Sequence, residues 1–248
     1  MKEISLNSSQ TKLKHILIKN GWMLEEDQII HVETPGVGNM NVVLRITTRK
    51  GSIILKQSRA YVNKYPQIPA PIDRIEVENQ FYELVHTSSC SPYLPKLLGF
   101  DRVNKLLFIE DLGRFSDYQV LYQNKVDLSQ KDYVEILSFL HQLHHASFNA
   151  SQRAKFPKNL ALRQLNHEHL FVYPYSEEND FDLNEIKPGL QQLAHKMRQD
   201  IALKKAAIQL GKRYLSEGTS LLHGDYYPGS WLKTDFGFRV IDPEFCFF

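Results

Sequence analysis

Two acidic segments near the end of the chain carry the residue types that phosphoryl transfer requires. His223-Gly224-Asp225 follows Leu221-Leu222, and seventeen residues after Asp225 comes Asp242-Pro243-Glu244, at the end of a short apolar strand. In such a reaction one carboxylate orients the attacking hydroxyl and accepts its proton, while others hold Mg²⁺ against the β- and γ-phosphates of ATP. Either aspartate alone would be as easily a turn cap. Together, flanking one hairpin, Asp225, Asp242 and Glu244 offer carboxylates for both tasks.

Further upstream, Lys56 lies in Ser52-Ile53-Ile54-Leu55-Lys56-Gln57. Strand alternation puts it on the face of Ile54, within an otherwise apolar strand, where a lone ammonium is costly to bury. It needs an anionic partner, a phosphate or a carboxylate. The next helix offers one. At 100° per residue Ile75, Val77, Phe81, Tyr82, Leu84 and Val85 make an apolar arc, and Glu78 falls inside it. Asp73, Glu76, Gln80 and Glu83 occupy the polar face, so Glu78 is the expected partner of Lys56, ahead of Glu76. Gly36-Val37-Gly38-Asn39-Met40-Asn41 between two strands can bring backbone N–H groups to phosphates. Glu110-Asp111-Leu112-Gly113 is a linker whose backbone can meet an adenine edge.

These residues need a scaffold, and the pattern supplies an α+β one. A helix is expected over 8–20, strands over 28–33, 41–47 and 52–57, and a Pro-rich connector at Pro66, Pro69 and Pro71. A helix over 72–86 and strands over 96–100 and 106–109 complete a β-rich lobe, residues 1–112, with a five-stranded sheet and one inserted helix. Residues 113–248 read as a helical lobe: helices over 133–148 and within 183–215, then strands at 230–233 and 238–241. His144 projects into an arc with Tyr133, Leu137 and Leu140 and reads as a core histidine. His167-Glu168-His169 lacks the spacing of a helical zinc site, so no metal is assigned to either.

Composition removes several alternatives. The 248 residues carry a formal net charge of +2, with lysines and arginines scattered, which gives no electrostatic case for nucleic acid or an anionic membrane. There is no apolar run of membrane-spanning length and no signal-peptide pattern. Two widely separated cysteines, Cys90 and Cys246, fit a reducing cytoplasm better than a disulfide framework.

The set Lys56, Glu78, His223-Gly224-Asp225 and Asp242-Pro243-Glu244 resembles the aminoglycoside phosphotransferase and choline kinase superfamily. Lys56-Gln57, Ala60-Tyr61-Val62, Asp73-Arg74, Ser230 in place of a metal-binding asparagine, and Asp-Pro-Glu-Phe at 242–245 resemble its 5-methylthioribose kinase branch. The resemblance implies a protein-kinase-like two-lobe fold and ATP-dependent phosphorylation of a small hydroxylated metabolite, a sugar or thiosugar. It implies Asn39 and Lys56 as phosphate contacts and Glu110, Asp111 and Leu112 as the adenine hinge. Asp225 would be catalytic, and the Asp242-Pro243-Glu244 segment would bind Mg²⁺-ATP. Tyr226-Tyr227-Pro228 and Asn166-His167-Glu168-His169 depart from the branch, which leaves an aminoglycoside or choline/ethanolamine kinase as the alternative. An acidic stretch at Glu177-Glu178-Asn179-Asp180 would then serve a cationic acceptor. The chain stops at Phe245-Cys246-Phe247-Phe248, where the family continues through further helices. On that ground it reads as C-terminally truncated, with an incomplete helical lobe, and a catalytically impaired nucleotide-binding remnant is the alternative of another class. Three phenylalanines left without cover would favour self-association, such as a homodimer.

Overall fold

One antiparallel sheet organises the molecule, and strand alternation decides what packs on each face. The computed structural model describes residues 3–36, 38, 40–123, 127–179 and 182–248. Helix α1 (Gln10–Lys19) starts at Ser9, whose side chain accepts from the Lys12 amide. Strands β1 (Ile29–Glu33), β2 (Val42–Thr48) and β3 (Gly51–Gln57) follow, then a small hairpin of β4 (Tyr61–Val62) and β5 (Tyr65–Pro69). Helix α2 (Arg74–Val85) precedes β6 (Leu97–Asp101) and β7 (Leu106–Glu110). The sheet runs β1-β2-β3-β7-β6, each pair antiparallel.

Leu44, Ile46, Leu55 and Phe108 pack on one face with Leu13, Ile16 and Leu17 of α1. Ile54, Leu107 and Ile109, on the other face, pack with Ile75, Phe81 and Val85 of α2. Each such buried side chain contributes roughly 1.5–3 kcal/mol, so the two layers fix α2 over the face that carries Lys56.

Beyond the sheet come β8 (Ser116–Asp117), α3 (Gln130–His145), α4 (Ala150–Lys155), α5 (Leu160–His167), α6 (Leu190–Arg198), α7 (Ile201–Leu215), β9 (Trp231–Thr234) and β10 (Gly237–Val240). β9 pairs with both β10 and β8. Packing divides the chain into a larger unit, 1–158 with 220–248, and a smaller one, 159–219. This line differs from the division at 112/113 drawn from sequence. The reason is that α3 and β10 share the core beneath α2 through Phe139, Phe238 and Val240. The smaller unit is helical; in it the Arg163 guanidinium donates to the carbonyls of Tyr214 and Ser216, tying α5 to the end of α7.

Four details differ from the pattern in the sequence. The Pro-rich connector contains the β4–β5 hairpin, whose second strand is wholly exposed and so shows no alternation. The stretch 183–215 is broken at Gln199–Asp200, where the Asp200 side chain caps α7. On α3 the buried stripe is Asp132, Ile136, Phe139 and Leu143, whereas Tyr133 and Leu137 are exposed. Asp132 is buried because it accepts from the Tyr118 hydroxyl at 2.8 Å and from Ser129. Finally, the C-terminal phenylalanines are covered. Phe247 bridges to Leu222, and Phe248 meets Phe148 and Phe156 edge-on at 5.5 and 5.4 Å. Self-association through bare phenylalanines therefore loses its basis. Cys90 and Cys246 are buried thiols in the same core.

Gly224 shows how tightly the turn before Asp225 is packed. It takes φ +84°, and a Cβ there would stand 2.1 Å from the carbonyl oxygen of Phe245. Gly237 also has a positive φ, +97°, but its Cβ would find only ordinary contacts at 3.7 and 3.8 Å. Gly237→Ala should thus lose about 1–2 kcal/mol from conformation alone. Gly224→Ala, which adds a backbone collision, should lose about 4 kcal/mol or more. Urea unfolding compares the two, and equal losses would contradict the close approach.

Candidate active site

Lys56 reaches from β3 into a cage of carboxylates. Its ammonium donates to Glu78 Oε1 on α2 and to Asp242 Oδ1 just after β10, both at 2.6 Å. The side chains of Lys56 and Glu78 are 3% and 0% exposed, while that of Asp242 is 45% exposed. Burial alone would discharge Lys56. The charges of Asp242 and Glu78 overcome that penalty and hold it protonated, far above the ordinary lysine range. Glu76 instead faces Lys105 and Arg102. Asp242 is one of three non-glycine residues with positive φ, at 63°, among the described residues. Such strain collects where a side chain must be presented in one direction.

The turn before β9 carries Asp225. His223 locks it to the hairpin: Nε2 meets the Ile241 carbonyl at 3.0 Å, and the Asp225 amide reaches Nδ1 at 3.4 Å. This pairing requires the proton on Nε2, and burial lowers the imidazole to about 4, so it stays neutral. Ser230 is fully buried, its hydroxyl accepting from the Tyr227 amide and lying 2.9 and 3.1 Å from the carbonyls of Tyr227 and Asp225. It braces the turn. The Asp225 carboxylate has no hydrogen-bond partner among the described residues. Burial, then the negative charge of Asp242, raises it to about 6. A general base works best with a pKa near the working pH, so this environment suits a proton acceptor.

Of the two neighbouring tyrosines, Tyr226 belongs to the core. It stacks on Phe139 at 5.4 Å and donates to the Ile136 carbonyl. Tyr227 is the half-exposed one, and its phenol is raised by burial and by the charges of Asp225 and Asp242.

An apolar cleft of about 400 Å³, open mouth included, is lined by Val43, Ile54, Ile109, Leu112, Leu232 and Ile241, with Glu110, Lys56 and Asp242 on its wall. The Asp111 side chain is absorbed in holding the linker. It accepts from Arg45 Nε at 2.9 Å, Ser52 Oγ at 2.5 Å and the Gly113 amide at 3.0 Å. A base entering the cleft would therefore meet the linker through backbone atoms. A second, more open hollow on the smaller unit, near Gln192 and His195, is lined by Glu177 of the acidic stretch and by none of the candidates for phosphate, metal or acceptor hydroxyl. Asn39 lies outside the described residues.

Mg²⁺ fits part of the expected donor set. It takes one or two carboxylates together with phosphate oxygens and retained water, and among the described residues no cage of three or more His, Cys, Asp or Glu side chains exists. Asp242 is open to solvent on one side, and its repulsion of Asp225 is what a divalent cation relieves. Glu244 is placed differently. It is buried, 3.2 Å from Arg74 Nε, and accepts from Asn41 Nδ2 at 2.9 Å. Pro243 is buried in the same turn. The sequence pointed to Arg74 only as part of a resemblance, and the helical wheel gave no signal for it.

The fold is protein-kinase-like. LicA bound to AMP superposes with a TM-score of 0.55 at 16% identity, covering 96% of this chain and 69% of that one. A spectinomycin phosphotransferase bound to ADP and spectinomycin gives 0.52 at 13% identity, covering 97% and 70%. No protein-family profile matches the chain. In sequence it is 30% identical over 245 residues to methylthioribose kinase of Yersinia pseudotuberculosis, covering 92% of this chain and 57% of that protein. The chain is thus similar in sequence to methylthioribose kinases and shares its fold with these phosphotransferases. It spans little over half the length of the methylthioribose kinases it matches.

Two measurements probe this geometry. Lys56→Met strands Glu78 in the core and should destabilise by about 3–5 kcal/mol, and adding Glu78→Leu should recover at least half, since removing a buried pair whole is far milder than breaking it. No recovery would show that Glu78 is not the burden. For Asp225, the folded pKa of about 6 lies above the ordinary 3.8, so its protonated form is favoured by folding and stability falls as pH rises through 6. Asp225→Asn in metal-free protein should therefore stabilise more at pH 7.5 than at pH 5, by about 1 kcal/mol. An equal effect at both pH values would contradict the burial of Asp225.

Proposed function

We propose that this chain forms the ATP-binding and phosphoryl-transfer centre of a small-molecule kinase acting on a hydroxyl of methylthioribose or a related thiosugar. The observation that carries the proposal is Lys56 held between Glu78 and Asp242, beside the unpartnered Asp225, on the wall of an apolar cleft. In this reading the cleft takes the adenine, with Glu110, Asp111 and Leu112 offering backbone atoms. Lys56 presents positive charge to the phosphates, and Asn39 would be a further phosphate contact. Asp242 holds Mg²⁺, whose bound charge offsets that building on the phosphates. Asp225 orients the acceptor hydroxyl and takes its proton as the hydroxyl oxygen bonds the γ-phosphorus and ADP leaves with the electrons of the broken P–O bond.

The relatives' name supports the thiosugar, and the acidic stretch proposed for a cationic acceptor is weakened. Glu177 is paired with His195 at 2.9 Å and Arg198 at 3.4 Å, so its charge is already answered. Only two cysteines, far apart in sequence, agree with a cytoplasmic setting, and among the described residues no helix is long and apolar enough to cross a membrane.

Mg²⁺-ATP should raise the melting temperature of the chain, and Asp242→Asn should remove the Mg²⁺-dependent part of that rise. With methylthioribose as acceptor, ADP release should fall by about 10²–10⁴-fold in Asp225→Asn while the nucleotide-induced rise persists. A melting temperature indifferent to Mg²⁺-ATP would overturn the proposal.

A further inference from the structure

We infer that Glu244 is a positioning residue, joined with Arg74 and Asn41 in a buried strut that sets Met40 and Asn41, at the start of β2, against the Asp242 segment, and that it is not a ligand of the metal. The inference rests on the phosphotransferase reading for what Asp242 is for, but the strut stands on contacts alone.

Arg74, at the first turn of α2, is 1% exposed and uses all five of its N–H donors. Nε lies 2.9 Å from Asn41 Oδ1 and 3.2 Å from Glu244 Oε2. Nη1 donates to the carbonyls of Arg59 and Pro71 at 2.6 and 2.8 Å, and Nη2 to those of Met40 and Tyr61 at 2.7 and 3.3 Å. Asn41 closes the triangle by donating Nδ2 to Glu244 Oε2 at 2.9 Å. Its amide stands between a donor and an acceptor, so only one orientation satisfies both.

Met40 and Asn41 lead into β2. The strut therefore fastens the start of β2 to α2 on one side and to the segment after Asp242 on the other. A second tie runs parallel to it, one helical turn along α2, where Glu78 reaches Asp242 through Lys56. Two ties between the same pair of segments fix both translation and rotation, which a single ion pair on flexible side chains does not. A carboxylate so occupied would have to leave a guanidinium 0% exposed to reach a cation, stranding a buried charge.

The test uses amide hydrogen exchange on the metal-free, nucleotide-free chain, with Mn²⁺ binding in the presence of ADP as a second arm. Glu244→Gln, Asn41→Ala and Arg74→Lys should each speed exchange over residues 40–43 by about tenfold, leaving α1 unchanged, and Glu244→Gln with Arg74→Lys should not exceed either alone. Asn41→Ala keeps the arm readable if the charged variants unfold. Exchange at 40–43 equal to wild type in both Glu244→Gln and Asn41→Ala would overturn the strut. In the second arm Mn²⁺ affinity should drop at least tenfold more in Asp242→Asn than in Glu244→Gln. Equal losses would restore Glu244 to the metal. Wild-type chain that binds neither Mn²⁺ nor ADP would defeat the kinase reading, and the exchange arm would still decide the strut.

Discussion

A buried ammonium shared by two carboxylates is the constraint on which the rest depends. Lys56 comes from the sheet, Glu78 from α2 and Asp242 from the segment after β10, so one cation at 2.6 Å from each fixes three elements in register. An ion pair in an apolar interior is poor evidence for stability, because desolvation offsets most of the attraction. Its value here is specificity. Any slip of α2 along the sheet would leave a charge without its counterpart, whereas an apolar contact of the same area would tolerate the slip.

The elements that hold the triad are themselves held by ordinary packing. α1 and α2 seal opposite faces of the sheet, and the turn that carries Asp225 is pinned by a neutral histidine, a buried serine and a glycine with no room for a side chain. Polar groups in this turn are mostly satisfied within it. Asp225 is the exception, and an unsatisfied carboxylate in a turn whose other members are bonded is where a substrate group would be received.

Much of this was legible in the sequence because the period is strong where the core is. Alternation in 52–57 placed Lys56, and a glutamate inside the apolar arc of α2 identified Glu78 over Glu76. The β4–β5 hairpin was hidden by its prolines and its full exposure, and the face of α3 was misassigned because a buried Asp132 looks polar until its partner Tyr118 is known. The contact of Arg74 and Glu244 through Asn41 was illegible for a related reason. It consists of bonds between residues 33 and 203 positions apart, and no local pattern encodes such a distance.

The two thiols give the core a use of its own. Cys246 lies against the Val77 carbonyl of α2, and Cys90 follows the same helix; burial raises both thiols above their ordinary range. A thiol that is neutral and enclosed does not react with an alkylating reagent while the core stays shut. Each modification therefore records one opening of the layer beneath α2, so that the protein carries its own counter of how often the lysine cage comes apart.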